Sequence, residues 1–455
     1  MRVLLISANR CRSIALPMPV GLMAVAECIG RERHEVKVLD LMFADKPVEA
    51  AHAAVREFRP DVVGISVRNI DNQNARDTHA YFPELREICR GIKEDTDATI
   101  VLGGTAFSVL PKETLEYTGA DLGFAGEAQE PFSRLLDLLA DGKDYTHLPG
   151  LVHRRDGVIR LNDFEFHDLA DFTDPYLDAV DFMRYMSAGS SATVVKKLGC
   201  PFRCNYCDGR HQMGSHTRLR TPEQIVDNVV RIQEHHGVHD IFFIDPHFNV
   251  PVDHAKAVCR ELLRRKVKVR WFSTLRPGRF MDREMLHLMK RAGCNMAVVS
   301  PDTCSAKMLK QYNKACTKEE LYDTCRMLQA ARVPYMLCLL LGGPGETRET
   351  VEESLAFLRT VKPVLASFTV GLRILPETPL AERAVREGII KTQSDLIEPT
   401  FYIDPAVDDW IDERLQKAWL DHPDWILNGL LMRAKQWVRQ VGWRLRAKVG
   451  RRRGG

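Results

Sequence analysis

Hydrophobic residues along this chain follow two rhythms that take turns. Short runs rich in valine, leucine and isoleucine stand at VLLIS (3–7), VKVLD (36–40), DVVGIS (61–66), TIVLGG (99–104) and DLGFAG (121–126). Between them apolar positions return every three or four residues, as over 21–33, where Leu22, Val25, Ala26 and Ile29 mark one helical face. Five strands with crossover helices predict a Rossmann-like, doubly wound parallel sheet over residues 1–145. Sheets of that kind take ligands at the carboxyl ends of their strands, which here carry Ser7 to Arg10, Ser66 to Asn69, Gly103–Gly104 and Gly126–Glu127.

The rhythm breaks over 146–190. LVHRRDGVIRLN (151–162) reads as a β-hairpin turned at Asp156–Gly157, and an acidic, irregular stretch follows it, as in an interdomain linker. A second alternating array then begins, with strands expected near 192–198, 240–245, 268–273, 295–300, 335–341 and 366–374. Its helices are well signed. Thr221 to Gln224 combines an N-cap, a proline at the first helical position and a capping-box partner; Ile225, Val229 and Ile232 share a face, and Gly237 ends the helix. Thr317 to Glu320 is a second capping box. Six successive βα units predict a partial (β/α)6 barrel over 191–395, with functional groups on the loops after the strands. Residues 396–455 read as a helical, aromatic and basic C-terminal tail, so the fold class is α/β with a helical end.

Composition narrows the picture only a little. The 455 residues suit two or three domains, and 45% hydrophobic with 27% charged residues is the balance of a soluble globular protein. A formal net charge of +3 marks no polyanion binder, and nucleic acid is not expected as a partner. The charge is uneven, however: Arg433, Lys435, Arg439, Arg444, Arg446, Lys448 and Arg451 to Arg453 crowd the end of the chain. There Trp437, Val441 and Leu445 repeat at helical spacing, so a basic helix is expected either to be solvated or to touch an anionic membrane surface. The short apolar run at the N-terminus is no signal peptide, and no stretch reaches the roughly 18 to 20 apolar residues of a membrane span. A cytoplasmic location is therefore expected, where the twelve cysteines stay reduced.

Three of those cysteines stand apart. In KKLGCPFRCNYCDGR, Cys200, Cys204 and Cys207 form C-x3-C-x2-C directly after the strand at 192–198. Three thiolates on one loop can hold three irons of a cubane cluster and leave the fourth iron open. Structural zinc would want four ligands, often as paired C-x2-C.

This spacing, with Tyr206 before the third cysteine, resembles the radical S-adenosylmethionine (SAM) superfamily over residues 190–395. The resemblance implies a 4Fe–4S cluster on Cys200, Cys204 and Cys207, SAM chelated to the open iron, and cleavage to a 5′-deoxyadenosyl radical. It also implies an external flavodoxin- or ferredoxin-like electron donor. IFFIDPHFNV (241–250), VVSPDTCS (298–305) and LLLGGPGET (339–347) are similar to further barrel segments of that family, although Pro246 stands where an acidic residue is common. By that likeness Tyr206, Asp245, Ser300 and Glu346 are candidate cosubstrate contacts.

MPVGLMAVAECI, HEVKVLDL, DVVGIS, VLGGTAFSVLP and GADLGFAGEAQEPF resemble the cobalamin-binding domain that precedes many such barrels. A corrin is broad and flat, so backbone must approach it without intervening side chains. The resemblance makes Gly21, Ser66, Asn69, Gly103, Gly104, Gly126 and Glu127 candidate cobalamin contacts. No G-x-G-x-x-G follows the first strand, which counts against a dinucleotide. D-x-H-x-x-G, the histidine motif of several corrinoid proteins, is absent too: Asp77-Thr78-His79 begins it, without the required glycine. Cobalamin is then expected to bind without a histidine from the protein.

Together these features imply a cobalamin-dependent radical SAM methyltransferase. It would act on an unactivated carbon of a small molecule or lipid, by way of the deoxyadenosyl radical and methylcobalamin, and no catalytic side chain is assigned. Ring formation or rearrangement without methyl transfer is the alternative. A methylthiotransferase would use Cys11, Cys28 and Cys89 for a second cluster, but Cys28 falls inside an amphipathic helix. A non-catalytic cobalamin sensor would leave the complete cysteine motif unexplained.

Overall fold

The computed structural model describes residues 1–12, 16–164, 166, 168, 169 and 172–427. The first array folds as its pattern dictates. Strands β1 (Arg2–Ser7), β2 (Glu35–Asp40), β3 (Val62–Ser66), β4 (Thr99–Gly103) and β5 (Leu122–Phe124) run parallel in the order 2-1-3-4-5. Successive side chains of a strand point to opposite faces. Val3 and Leu5 therefore pack with Leu22, Phe132 and Leu135, whereas Leu4 and Ile6 pack with Val55, Phe82 and Ile88. Strand order reverses between β1 and β3, and a crevice opens at the carboxyl ends there.

Two expectations change. The helix expected over 21–33 ends at Cys28, because the chain turns tightly at Gly30, whose carbonyl accepts from the backbone N–H groups of Arg33 and His34 at 3.1 and 3.0 Å. The hairpin β6 (Leu151–Arg155) and β7 (Val158–Leu161) turns at Asp156–Gly157 as expected, but it is no free-standing part of a linker. β6 pairs antiparallel with β5 and extends the first sheet to seven strands, which satisfies the edge of β5 and buries Leu151 and Val152.

The second array begins with β8 (Ala192–Val194), followed by the short antiparallel pair β9 (Lys197–Leu198) and β10 (Arg218–Leu219). Then come β11 (Asp240–Phe243), β12 (Arg270–Leu275), β13 (Cys294–Asp302), β14 (Tyr335–Leu341) and β15 (Leu365–Val370). Another short pair, β16 (Leu372–Arg373) with β17 (Phe401–Tyr402), precedes β18 (Trp425–Leu427). Strands β8, β11 to β15 and β18 form one parallel sheet in sequence order, whose two outer strands do not pair with each other. The barrel is open, as six βα units predict, with an additional strand. That strand comes from the tail: helix Ile411–Asp421 leads into β18, and buried Trp425 joins the barrel core. The basic segment with Trp437, Val441 and Leu445 lies outside the described residues. Among the described residues no helix is long and apolar enough to cross a membrane.

Helix starts carry the expected caps. Thr221 Oγ1 accepts from Gln224 N–H at 3.2 Å while Gln224 Oε1 accepts from Thr221 N–H at 2.9 Å, and Thr317 with Glu320 repeats the arrangement. Each cap fixes where a loop at the carboxyl end of the barrel stops.

Candidate active site between the two domains

The cysteines ride on the loop from Gly199 to Thr217, pinched at its base by β9 and β10. Gly199 has φ +87°, and a Cβ there would stand 1.8 Å from the His216 carbonyl oxygen, so only glycine lets the two ends approach. Cys200 N–H donates to the Gly214 carbonyl at 3.0 Å, Cys207 N–H to the Cys204 carbonyl at 3.2 Å, and Gly209 N–H to Cys207 Sγ at 3.4 Å. All three thiols are free. Among the described residues they are not one of the groups whose ligand atoms converge within 4.8 Å of one another. A single tetrahedral zinc, with Zn–S bonds of about 2.3 Å, would need thiols about 3.8 Å apart.

Several bonds tie this loop to the far side of the barrel. Asn205 Nδ2 donates to the Gln311 carbonyl at 2.7 Å and Asn313 Nδ2 to the Arg203 carbonyl at 2.6 Å. Tyr206 packs edge-on against Tyr312 with centroids 5.3 Å apart and donates its hydroxyl to Asp302. Asp302 ends β13 at φ +66° and also accepts from Lys314, whose ammonium lies 3.4 Å from the Ser300 carbonyl. Burial and the Asp302 carboxylate push the Tyr206 phenol well above its ordinary pKa. Tyr206 is thus a neutral donor that anchors the cysteine loop.

A residue that sequence reasoning passed over stands beside it. Arg276, one position past β12, is 2% exposed, and its Nε and Nη2 have no hydrogen-bond partner. Its guanidinium lies 3.5 Å from the ring centroid of Phe202 in the cysteine loop, and Nη1 lies 3.4 Å from His247 Nε2. His247 Nδ1 is likewise buried without a partner, and burial followed by the Arg276 charge holds its pKa well below the ordinary value. A buried cation with unfilled donors is costly unless an anion meets it. The available signal was position: an arginine at the carboxyl end of a barrel strand.

Against the first sheet lies a cavity of about 340 Å³. It starts between sheet and helices at Leu5, Gly64, Val101 and Phe132, and passes the strand ends. It reaches Val195, Leu198 and Ile244 of the barrel and Gln212 and Met213 of the cysteine loop. Gly21, Ser66, Gly103, Gly104, Gly126 and Glu127 all line it. Gly21 stands at its edge, and a Cβ there would meet nothing within 4 Å. Among the described residues no histidine lines it, and His79 is an exposed residue stacked edge-on against Tyr81. A small-residue floor and an apolar slot fit a flat ring with an extended tail. Asn69 lies instead in a neighbouring cavity of about 210 Å³, with Arg68, Asp208, Gln212 and Arg373.

Other candidates face inward to the protein. Asp245 is buried, accepts from the backbone of Lys196 and Lys197 at 3.3 Å each, and pairs with the Lys196 ammonium at 3.1 Å. It fixes β8 to β11. Glu346 is fully buried, accepts from Thr350 and from Gly342 N–H, and burial pushes its carboxyl up to about 7. It braces the turn after β14. Glu127 is bound by Arg218, and Cys28 and Cys89 sit in separate helices, Cys28 hydrogen-bonded to Thr173.

Two protein-family models match the chain: the B12 binding domain over residues 15–136 and the radical SAM superfamily over 194–358. An uncharacterised methyltransferase of Pyrococcus horikoshii is 24% identical over 412 residues, spanning 88% of this chain and 87% of that protein. Tryptophan 2-C-methyltransferase of Streptomyces laurentii is 26% identical over 448 residues, spanning 84% of this chain and 74% of that protein. Among solved structures, the radical SAM methyltransferase TsrM of Kitasatospora setae, with cobalamin and a 4Fe–4S cluster bound, matches with a TM-score of 0.81. The identity is 24%, over 94% of this chain and 91% of TsrM. The cobalamin-dependent SAM radical enzyme OxsB, with aqua-cobalamin bound, matches with a TM-score of 0.75 at 17% identity, over 92% of this chain and 67% of OxsB. The likeness to both is one of overall fold.

Proposed function

We propose that this chain, a cobalamin-dependent radical SAM enzyme, is a methyltransferase that places a methyl group on an unactivated carbon of a small organic substrate. The observation that carries the reading is one cavity shared by the strand ends of the first sheet and the cysteine-bearing end of the barrel. When bound, the cluster with SAM supplies hydrogen-atom abstraction and the corrinoid supplies the methyl group.

The chain's own residues do the rest. Cys200, Cys204 and Cys207 would hold three irons, and the loop bonds from Asn205, Tyr206 and Asn313 keep the thiols in register. Gly21, Ser66, Gly103, Gly104 and Gly126 would floor the corrinoid site, with Leu5, Gly64 and Val101 lining a slot for its tail. Phe124, Phe132, Phe172, Val195, Leu198 and Ile244 exclude water from the shared space. Arg276 offers two free donors to a carboxylate of the cosubstrate or the substrate. An external one-electron carrier of flavodoxin or ferredoxin type would reduce the cluster.

The test is anaerobic reconstitution with iron, sulfide and cobalamin, followed by reductant and SAM. Mass spectrometry is expected to find S-adenosylhomocysteine beside 5′-deoxyadenosine. Deoxyadenosine alone would overturn methyl transfer in favour of ring formation or rearrangement. The absence of both from fully loaded protein would overturn the enzyme reading.

A further inference from the structure

The connection between the two domains meets the barrel at a group of side chains that the proposed chemistry does not use. Helix Pro222–His236 ends in adjacent histidines, and Gly237 closes it in the left-handed conformation. Adjacent helical residues project about 100° apart, yet here both rings are brought to one place. The connection turns at Leu177–Ala179, and Asp178 in that turn accepts or shares a proton with His235, Nε2 to Oδ1 2.7 Å. His236 is stacked on Phe182 of the next short helix, with centroids 4.1 Å apart and planes 17° from parallel. Its Nε2 is buried without a partner. Ligand atoms of Asp178, His235 and His236 all lie within 4.8 Å of one another.

We propose that Asp178, His235 and His236 form a binding site for a divalent transition ion of the zinc class, which staples the interdomain connection to the barrel. Two imidazoles and one carboxylate are a ligand set for such an ion. An ordinary His–Asp pair accounts for His235 and Asp178, but leaves the buried His236 Nε2 without a partner. Around a tetrahedral ion with bonds of about 2.0 Å the ligand atoms stand about 3.3 Å apart. Asp178 and His235 are exposed and free to close that distance.

The staple reaches both domains. Arg231 donates to the Pro175 carbonyl at 2.6 Å beside it, and the Phe182 helix holds Tyr185, whose hydroxyl donates to Asp40 of β2 at 2.6 Å. Binding of the ion to the folded form alone would stabilise this joint.

The experiment uses tag-free protein loaded with iron–sulfur cluster and cobalamin, so that the loop cysteines are occupied. It is dialysed anaerobically against a small molar excess of zinc, and metal is counted by elemental analysis. One zinc per chain beyond the iron is expected, together with a higher melting temperature. His235→Ala and Asp178→Ala change exposed residues, so each is expected to lose the zinc and the thermal shift with iron and corrinoid unchanged. His236→Gln is expected to do the same. Zinc retained equally by all variants, or no zinc on loaded wild-type protein, would overturn the site. Neither result bears on methyl transfer, which the coproduct measurement decides separately.

Discussion

Arg218 and Glu127 are joined across the domain interface by two hydrogen bonds, Nη1 to Oε2 at 3.0 Å and Nη2 to Oε1 at 2.6 Å. Their side chains are only 10% and 24% exposed. One stands at the exit of the cysteine loop and the other at the strand end that lines the cavity between the two sheets. The pair therefore sets the distance between the two halves of the site. Glu127→Ala removes two charge-assisted hydrogen bonds from a largely buried guanidinium, and a loss of about 1–3 kcal/mol is expected after discounting for partial exposure. A double-mutant cycle with Arg218→Met in urea unfolding checks this; additive single effects would show no coupling.

Two glycines of the cavity should respond in opposite ways. Gly104 has φ +94° and a Cβ there would stand 2.7 Å from the Val67 carbonyl oxygen, so Gly104→Ala is expected to cost about 1–3 kcal/mol. Gly21 meets nothing within 4 Å and lies in helix Val20–Cys28. Gly21→Leu is expected to keep or raise stability, by up to about 1 kcal/mol from helix propensity, while corrinoid retention falls. Absorbance of bound cobalamin and the melting temperature, measured on the same samples, separate the two effects.

Arg276→Met should act on ligand binding. Charged hydrogen bonds are worth about 1.5–3 kcal/mol, or roughly a 10- to 150-fold loss of affinity. Equilibrium dialysis with SAM reads the cosubstrate carboxylate; unchanged SAM binding with a raised substrate KM would assign the anion to the substrate. Unchanged values for both would sink the role.

Glu346 makes stability depend on pH in a defined direction. Its carboxyl is pushed up to about 7 in the fold from an ordinary 4.5, so between those values the folded form holds more protons than the unfolded chain. Its contribution is fully present below the lower value and fades as pH rises through the upper one, by about 3 kcal/mol in all. Urea midpoints of wild type minus Glu346→Gln, compared at pH 5 and pH 8, isolate that slope from the other titrating groups. A flat difference would show that Glu346 is ionised in the fold.

Iron content distinguishes one cluster from two. Loaded wild-type protein is expected to hold about four irons per chain, and Cys204→Ala to hold almost none. Cys28→Ser and Cys89→Ser are expected to leave iron unchanged, since these residues occupy separate helices. A halving of iron in either would revive a second cluster.

Much of the molecule could be read along the chain. The five strands of the first array, the strands of the barrel, the Thr221 and Thr317 caps and the C-x3-C-x2-C loop all rest on patterns spanning a few residues. Hydrophobic period, capping and cysteine spacing are local, so sequence alone determined the two α/β arrays and the place of the cysteine loop. The cavity glycines were legible for the same reason, because strand ends are where such sheets bind.

What remained depended on residues far apart in the chain. Tyr206 meets Asp302 across 96 positions, Glu127 meets Arg218 across 91, and Arg373 reaches Asp71 across 302. Nothing near Glu127 announces that an arginine will bind it, and nothing near Asp245 shows that Lys196 will take its charge. Trp425 likewise looked like tail until β15 supplied a partner strand. Burial decides these outcomes: a polar group removed from water must find a partner wherever the fold places one. Only the tertiary structure brought Arg276 to the cysteine loop with its donors unfilled, and only there does an ordinary arginine become a candidate for binding an anion.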